Sequence, residues 1–116
     1  MRCELMTPER RLFSGEAEMV VARSPRGEFG VMNGHAPLLA ALVPGEVRVK
    51  TAEGELGFVV AAGLLRVGTD GVTILAQDAV PREEIDLARV RARIAEIGEG
   101  DSTELAFLRA QEKVHA

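Results

Sequence analysis

Apolar and polar positions alternate with a period of two along much of the chain up to about residue 80. Glu46-Val47-Arg48-Val49-Lys50 alternates strictly, as a strand with one buried face does. Glu16-Ala17-Glu18-Met19 begins a second alternation and runs on into Val20-Val21-Ala22, and Val72, Ile74 and Ala76 share one face of a third. Phe58-Val59-Val60-Ala61-Ala62 is apolar throughout, which predicts a central strand covered on both sides. Turn signals separate these runs: Ser24-Pro25-Arg26-Gly27, Asn33-Gly34, Pro44-Gly45, Glu53-Gly54 and Asp70-Gly71. The stretch from Val49 to Leu56 reads as a hairpin, and Asp70-Gly71 between two apolar runs reads as another. Many short strands with no helix between them predict a β-sandwich or barrel.

From about residue 83 the period changes. Leu87, Val90, Ile94 and Ile97 recur at i, i+3, i+7 and i+10, one stripe of a helix. Asp86 is placed to cap its start and Gly98 to stop it. Asp101 with Glu104 predicts the capping pair of a second helix, which carries Leu105 and Leu108 with Phe107, Ala110 and Val114 beside them. An antiparallel pair this short is marginal in water unless its apolar stripe packs on something. The expected organisation is an α+β chain, with a β-sandwich over residues 1–82 and a helical hairpin over residues 83–116.

Composition narrows the chemistry. The chain has 116 residues, enough for one domain or one domain with a short appendage. It has no Trp, no Tyr and only four Phe, so the core must be aliphatic and few faces exist on which a base, a sugar or a flat cofactor would stack. A net charge of −4 argues against a nucleic-acid partner. Lone Cys3 forms no internal disulfide and is expected as a small buried residue on the first strand. The chain opens without an apolar signal region. The longest apolar stretches, Ala36 to Val43 and Phe58 to Leu65, contain Pro37 and Gly63 and fall far short of the ~20 residues that span a bilayer. A cytoplasmic protein that reaches a membrane only through partners is expected.

No catalytic constellation emerges. The histidines are His35 and His115, no Gly-x-Ser-x-Gly elbow is present, and no Cys/His spacing suits zinc. Gly63 and Gly68 have P-loop spacing, but Thr69-Asp70 stand where Lys and Ser or Thr are required to hold phosphate. Gly63 then reads as relief of crowding in a buried strand and Gly68 as a turn residue. Glu83 and Glu84 sit beside a helix start, where the dipole favours acids. Three features remain. The segment Gly27-Glu28-Phe29-Gly30-Val31-Met32-Asn33-Gly34-His35-Ala36-Pro37-Leu38 reads as two tight strand connections at one end of the sandwich. The run Phe58 to Leu65 reads as core. The hairpin's polar faces carry Arg89, Arg91, Arg93, Arg109 and Lys113, with pairs such as Arg93–Glu96 and Arg109–Glu112 expected.

Together these residues resemble the epsilon-subunit family of bacterial F-type ATP synthases, along essentially the whole chain. Leu12-Phe13-Ser14-Gly15 comes first. Gly27-Glu28-Phe29-Gly30-Val31 leads to Gly34-His35-Ala36-Pro37-Leu38-Leu39, the most specific piece. Then follow Pro44-Gly45-Glu46-Val47-Arg48-Val49, Ala61-Ala62-Gly63-Leu64-Leu65-Arg66-Val67, Val72-Thr73-Ile74-Leu75-Ala76 and Ile85-Asp86. The chain departs from the family at Asn33, where Pro is common, at Ala62, where Gly is usual, and in a shorter second helix.

The resemblance implies a ten-stranded β-sandwich followed by a C-terminal antiparallel helical hairpin. It implies a non-catalytic rotor subunit on the cytoplasmic face of the bacterial membrane, peripheral and not inserted, coupling the gamma subunit to the c-ring. Glu28, Gly34, His35, Ala36, Pro37 and Leu38 are the implied partner contacts, Glu28 being similar to a carboxylate that faces the c-ring loops. Glu28 and the Gly34–Pro37 loop are accordingly expected at one end, with His35 fixing the loop. The hairpin is implied to be a mobile arm that reaches the alpha and beta subunits and inhibits ATP hydrolysis. Some relatives bind regulatory ATP through Ile/Leu-Asp-x-x-Arg-Ala. Here Ile85, Asp86 and Arg89 match and Val90 replaces the Ala, with Arg109 and Lys113 as candidate helpers. The same residues equally fit a capped helix with a solvated arginine. The alternative class is a free-standing module whose 27–38 loops hold a small polar ligand.

Overall fold

The computed structural model describes residues 1–115, so Ala116, the last residue of the expected hairpin, lies outside the described residues. Ten strands come first. They are β1 (Arg2–Met6), β2 (Arg11–Glu16), β3 (Met19–Ser24), β4 (Gly27–Met32), β5 (Leu38–Leu42), β6 (Gly45–Thr51), β7 (Gly54–Val60), β8 (Gly63–Gly68), β9 (Gly71–Ala76) and β10 (Ala79–Pro81). A short 3₁₀ helix at Arg82–Glu84 leads into α1 (Leu87–Ile97) and α2 (Thr103–His115).

Local turn chemistry makes the neighbours. In the β6–β7 hairpin, Gly54 takes φ 140, and the Thr51 hydroxyl donates to the Gly54 carbonyl at 2.9 Å while accepting the Glu53 N–H at 3.2 Å. The strands assemble into two five-stranded sheets, ordered β2-β1-β9-β8-β5 and β10-β7-β6-β3-β4. All recorded pairings are antiparallel except β1 with β9, whose partners run from Cys3↔Val72 to Met6↔Leu75. The inward residues Leu5, Val20, Val31, Val47, Val49, Leu65 and Ile74 are fully buried between the sheets. Phe13 meets Phe58 edge-on across this core at a centroid distance of 6.4 Å. Cys3 is among the buried residues, and burial pushes its thiol up to about 11. Gly63 lies where an added Cβ would strike the backbone of Leu75 and Ala76, which accounts for a glycine at the start of β8.

The segment after residue 27 corrects the sequence reading. Residues 27–32 are not a connection but the edge strand β4, paired with β3 from Met19↔Met32 to Ser24↔Gly27. Glycines at 27 and 30 concealed its alternation.

The second half of β7 is covered on both sides. Phe58 and Val60 face the sandwich core, while Val59 and Ala61 face the hairpin with Ile85, Val90 and Phe107. Helix α2 rests on β6 and β7, and α1 packs chiefly on α2. Asp86 caps α1 by accepting the Arg89 N–H at 3.1 Å, and Gly98 ends it at φ 81. For α2 the cap is Ser102, whose hydroxyl accepts the Leu105 N–H at 3.1 Å, rather than Asp101. Arg93 pairs with Glu96 at 3.4 Å and with Glu104 at 3.2 Å, but Glu112 pairs with Arg91 on the other helix rather than with Arg109. The antiparallel crossing offers Glu112 that partner.

Candidate functional site

Part of the outward face of the first sheet is apolar where solvent would favour polar groups, beside a row carrying Glu4, Thr73 and Arg66. On β8 the adjacent leucines split: Leu65 points into the core at 0 % exposure, and Leu64 points out at 47 %. Registers Met6↔Leu75, Leu75↔Leu64 and Leu64↔Ala41 place these four residues in one row across β1, β9, β8 and β5. Leu39, two residues from Ala41 on the same face, is 67 % exposed, and Leu75 is 52 % exposed. Covering three such leucines contributes on the order of 1 kcal/mol or more each. A contiguous exposed patch of this kind marks an interaction surface. Sequence reading missed this row by taking Phe58–Leu65 as core throughout. The period-two rule applied to Leu64-Leu65 carried the signal, since both cannot point inward.

The expected contact residues do not form one cluster. Glu28 sits near the first end of β4, beside the turn at residues 24–27, and the loop at 33–37 lies beyond the other end. The expectation of a single end carrying both is therefore corrected, because β4 separates them by its own length. Glu28 and His35 nevertheless both border a groove of about 590 Å³ between the edge strands β4 and β5, with Leu38 and Phe29 in its wall. Glu28 already has a partner in the chain: Arg48, on β6, reaches it across β3 at 3.1 Å. In the loop, the His35 N–H donates to the Met32 carbonyl at 3.0 Å, closing a turn. The ring Nδ1–H donates to the Ala36 carbonyl at 2.6 Å, so His35 braces the loop. Ala36 and Pro37 are exposed, and Leu38 packs against the core. Gly34 borders a separate cleft of about 300 Å³ with Thr69 and Asp70.

Of the candidate nucleotide residues, Asp86 and Arg89 border one cleft, while the candidate helpers Arg109 and Lys113 lie in another. Ile85 is buried beneath the hairpin and Asp86 is occupied as the cap. Arg89 lines a cleft whose walls include the acids Asp78, Glu84, Glu96 and Glu104. Arg109 and Lys113 line a different cleft, between α2 and the sandwich, with Arg23 and Arg82. The Glu46 carboxylate there has a buried oxygen without a hydrogen bond, and Arg82 stands 3.8 Å from it. Arg93 is held above its ordinary value by hydrogen bonds from its guanidinium to Glu104 and Glu96. Among the described residues, no three His, Cys, Asp or Glu side chains are grouped to hold a metal ion, and no helix is long and apolar enough to cross a membrane.

Comparison with known proteins adds five findings. The family described as ATP synthase, Delta/Epsilon chain, beta-sandwich domain, matches residues 1–82. The ATP synthase epsilon chain of Xanthomonas euvesicatoria pv. vesicatoria (strain 85-10) is 46 % identical over 92 residues, which span 78 % of this chain and 66 % of that protein. The epsilon chain of Stenotrophomonas maltophilia (strain K279a) is 44 % identical with the same coverage. A chain of the Euglena gracilis mitochondrial ATP synthase, in a cryo-EM structure of OSCP, F1 and c-ring, superposes with a TM-score of 0.79 at 25 % identity, covering 96 % of this chain and 78 % of that one. A chain of the Tetrahymena thermophila central stalk and c-ring has the same fold, with a TM-score of 0.70 at 19 % identity, covering 99 % and 96 %.

Proposed function

The chain belongs to the ATP synthase delta/epsilon family, and from that premise we propose that it is a non-catalytic central-stalk subunit of an F-type ATP synthase. The observation that carries this reading is the outward row of half-buried Met6 and exposed Leu75, Leu64 and Ala41 with Leu39 beside it, a docking face rather than a pocket. A rotor element transmits torque through such a face. On this reading the apolar face seats on the gamma subunit. The flank carrying Glu28 and His35, with the Gly34–Leu38 loop, turns toward the polar loops of the c-ring. The protein is then peripheral, attached to the cytoplasmic side of the membrane through its partners. The lighter packing of the helices supports a division of labour in which residues 1–82 provide the attachment and the hairpin over 83–116 is a separable arm that restrains ATP hydrolysis through alpha and beta.

A regulatory ATP site at Ile85, Asp86 and Arg89 requires the hairpin to rearrange, since Arg109 and Lys113 line another cleft. The reading as a small-ligand module draws on the β4–β5 groove, which offers few converging polar groups. The central-stalk reading and the ligand-module reading are separated by mixing the full chain with purified gamma subunit. A one-to-one complex is expected. Leu64→Glu with Leu75→Glu should weaken it by about tenfold or more per leucine, since 1.4 kcal/mol corresponds to a factor of ten. Absence of a complex, or a complex indifferent to the double substitution, would overturn the assignment of this face.

A further inference from the structure

Asn33 is the only asparagine in the chain, and glycine follows it. The pair forms the corner of a four-residue turn: the His35 N–H bonds to the Met32 carbonyl at 3.0 Å, and Gly34 takes φ 86, the signature of a type II turn with Asn33 and Gly34 at its centre. Residues 32–37 are all exposed. Nothing lies within 4 Å of the position a Cβ would occupy on Gly34. Among the described residues neither the Gly34 N–H nor the Asn33 carboxamide has a hydrogen-bond partner in the protein. The two groups that can react with each other are therefore adjacent, unhindered and in water, and the turn that orients them is closed by a single backbone bond.

We propose that Asn33 is a self-modification site at which the carboxamide is converted to a carboxylate. The Gly34 backbone nitrogen, deprotonated in mildly alkaline water, attacks the Asn33 Cγ once rotation about the Asn33 backbone has opened the turn. The N–Cγ bond forms, the Cγ–Nδ2 bond breaks, and Nδ2 leaves as ammonia, with water returning the proton taken from Gly34. Water then opens the cyclic imide. Attack at Cγ leaves aspartate at position 33. Attack at the main-chain carbonyl leaves isoaspartate, whose backbone is one methylene longer. The balance is one amide and one water to one acid and one ammonia, with no change of oxidation state and no further reactant.

The product has consequences where it stands. Asn33 shares the rim of a cleft of about 300 Å³ with Thr69 and Asp70, so the new carboxylate joins a cleft that already holds one. The isoaspartate form lengthens the turn whose closing bond comes from His35. If the loop contacts a partner as proposed above, ageing of this one residue alters that contact; the chemistry itself does not depend on that reading.

The test uses the full chain, incubated in mildly alkaline and in slightly acidic buffer. In alkali, ion exchange should resolve a growing species with one extra negative charge. Peptide mapping should place an amide-to-acid exchange at position 33, and protein isoaspartyl methyltransferase should label part of it. Growth should slow in acid and vanish in Asn33→Gln. Asn33→Ser provides a second chain without the amide, in case glutamine disturbs the turn. An amide at position 33 that persists through the alkaline incubation overturns the proposal. So does an acidic species that maps to Gln77 or Gln111, or one that survives in both variants.

Discussion

In the sandwich, Leu5, Val20, Val47, Leu65 and Ile74 lie at or near zero exposure between two sheets, and backbone ladders join each strand to its neighbours. In the hairpin, the apolar side chains buried from α1 and α2 are Val90, Leu105 and Phe107. The ion pairs of α1 and α2, among the described residues, run between the helices or along one of them, not to the sheets. The 3₁₀ helix that precedes them is tied to the sandwich, through Arg10–Glu84 at 3.0 Å and Arg82–Glu46 at 3.8 Å. One region is held by non-local burial and ladder hydrogen bonds, the other by one helix resting on β6 and β7. Local opening is therefore expected in the hairpin long before the sandwich unfolds, which is the behaviour required of a separable arm.

The sharpest way to break this contrast is to cut each core. Leu65→Ala, in the sandwich, is expected to cost about 2–5 kcal/mol in urea unfolding. Phe107→Ala should leave the sandwich midpoint nearly unchanged while raising hydrogen exchange in α1 and α2. Equal losses in the two variants would mean that the halves unfold as one.

Alkaline titration probes the sandwich alone. The Cys3 thiol moves from 9.0 to about 11 in the folded chain, first because burial disfavours the thiolate. Its folded value lies above the unfolded one. The associated stability is therefore fully present below pH 9 and lost as pH rises toward 11. Unfolding measured across this window should show that slope, and Cys3→Ala should flatten it.

In the hairpin, Asp86→Ala removes the α1 cap and should cost about 1 kcal/mol of local helix stability. Helicity of the hairpin should fall while the sandwich transition stays in place. The smallest effect belongs to Arg93→Gln. Its pairs with Glu96 and Glu104 are exposed, so a loss of about 0.2–1 kcal/mol that fades with added salt is expected. A larger, salt-independent loss would show that ion pairs rather than packing hold the helices together.

The amino-acid sequence determined the periods and the stops. Alternation in Glu46–Lys50, the apolar run at Phe58–Ala62 and the helical stripe of Leu87, Val90 and Ile94 depend on side-chain spacing within one element, and Asp86 and Gly98 act within one helical turn. These follow from local geometry, so they were legible, and the ordered motifs were enough to reveal the family. The tertiary structure decided what depends on partners distant in sequence. The parallel pairing of β1 with β9 joins Cys3 to Val72. Arg48 claims Glu28 from twenty residues away because β3 lies between their strands. Glu112 meets Arg91 because the helices cross. The same closure chose which of Leu64 and Leu65 entered the core. A strand's period says that neighbours point to opposite faces, but only the second sheet, packed on one side, says which face is inside.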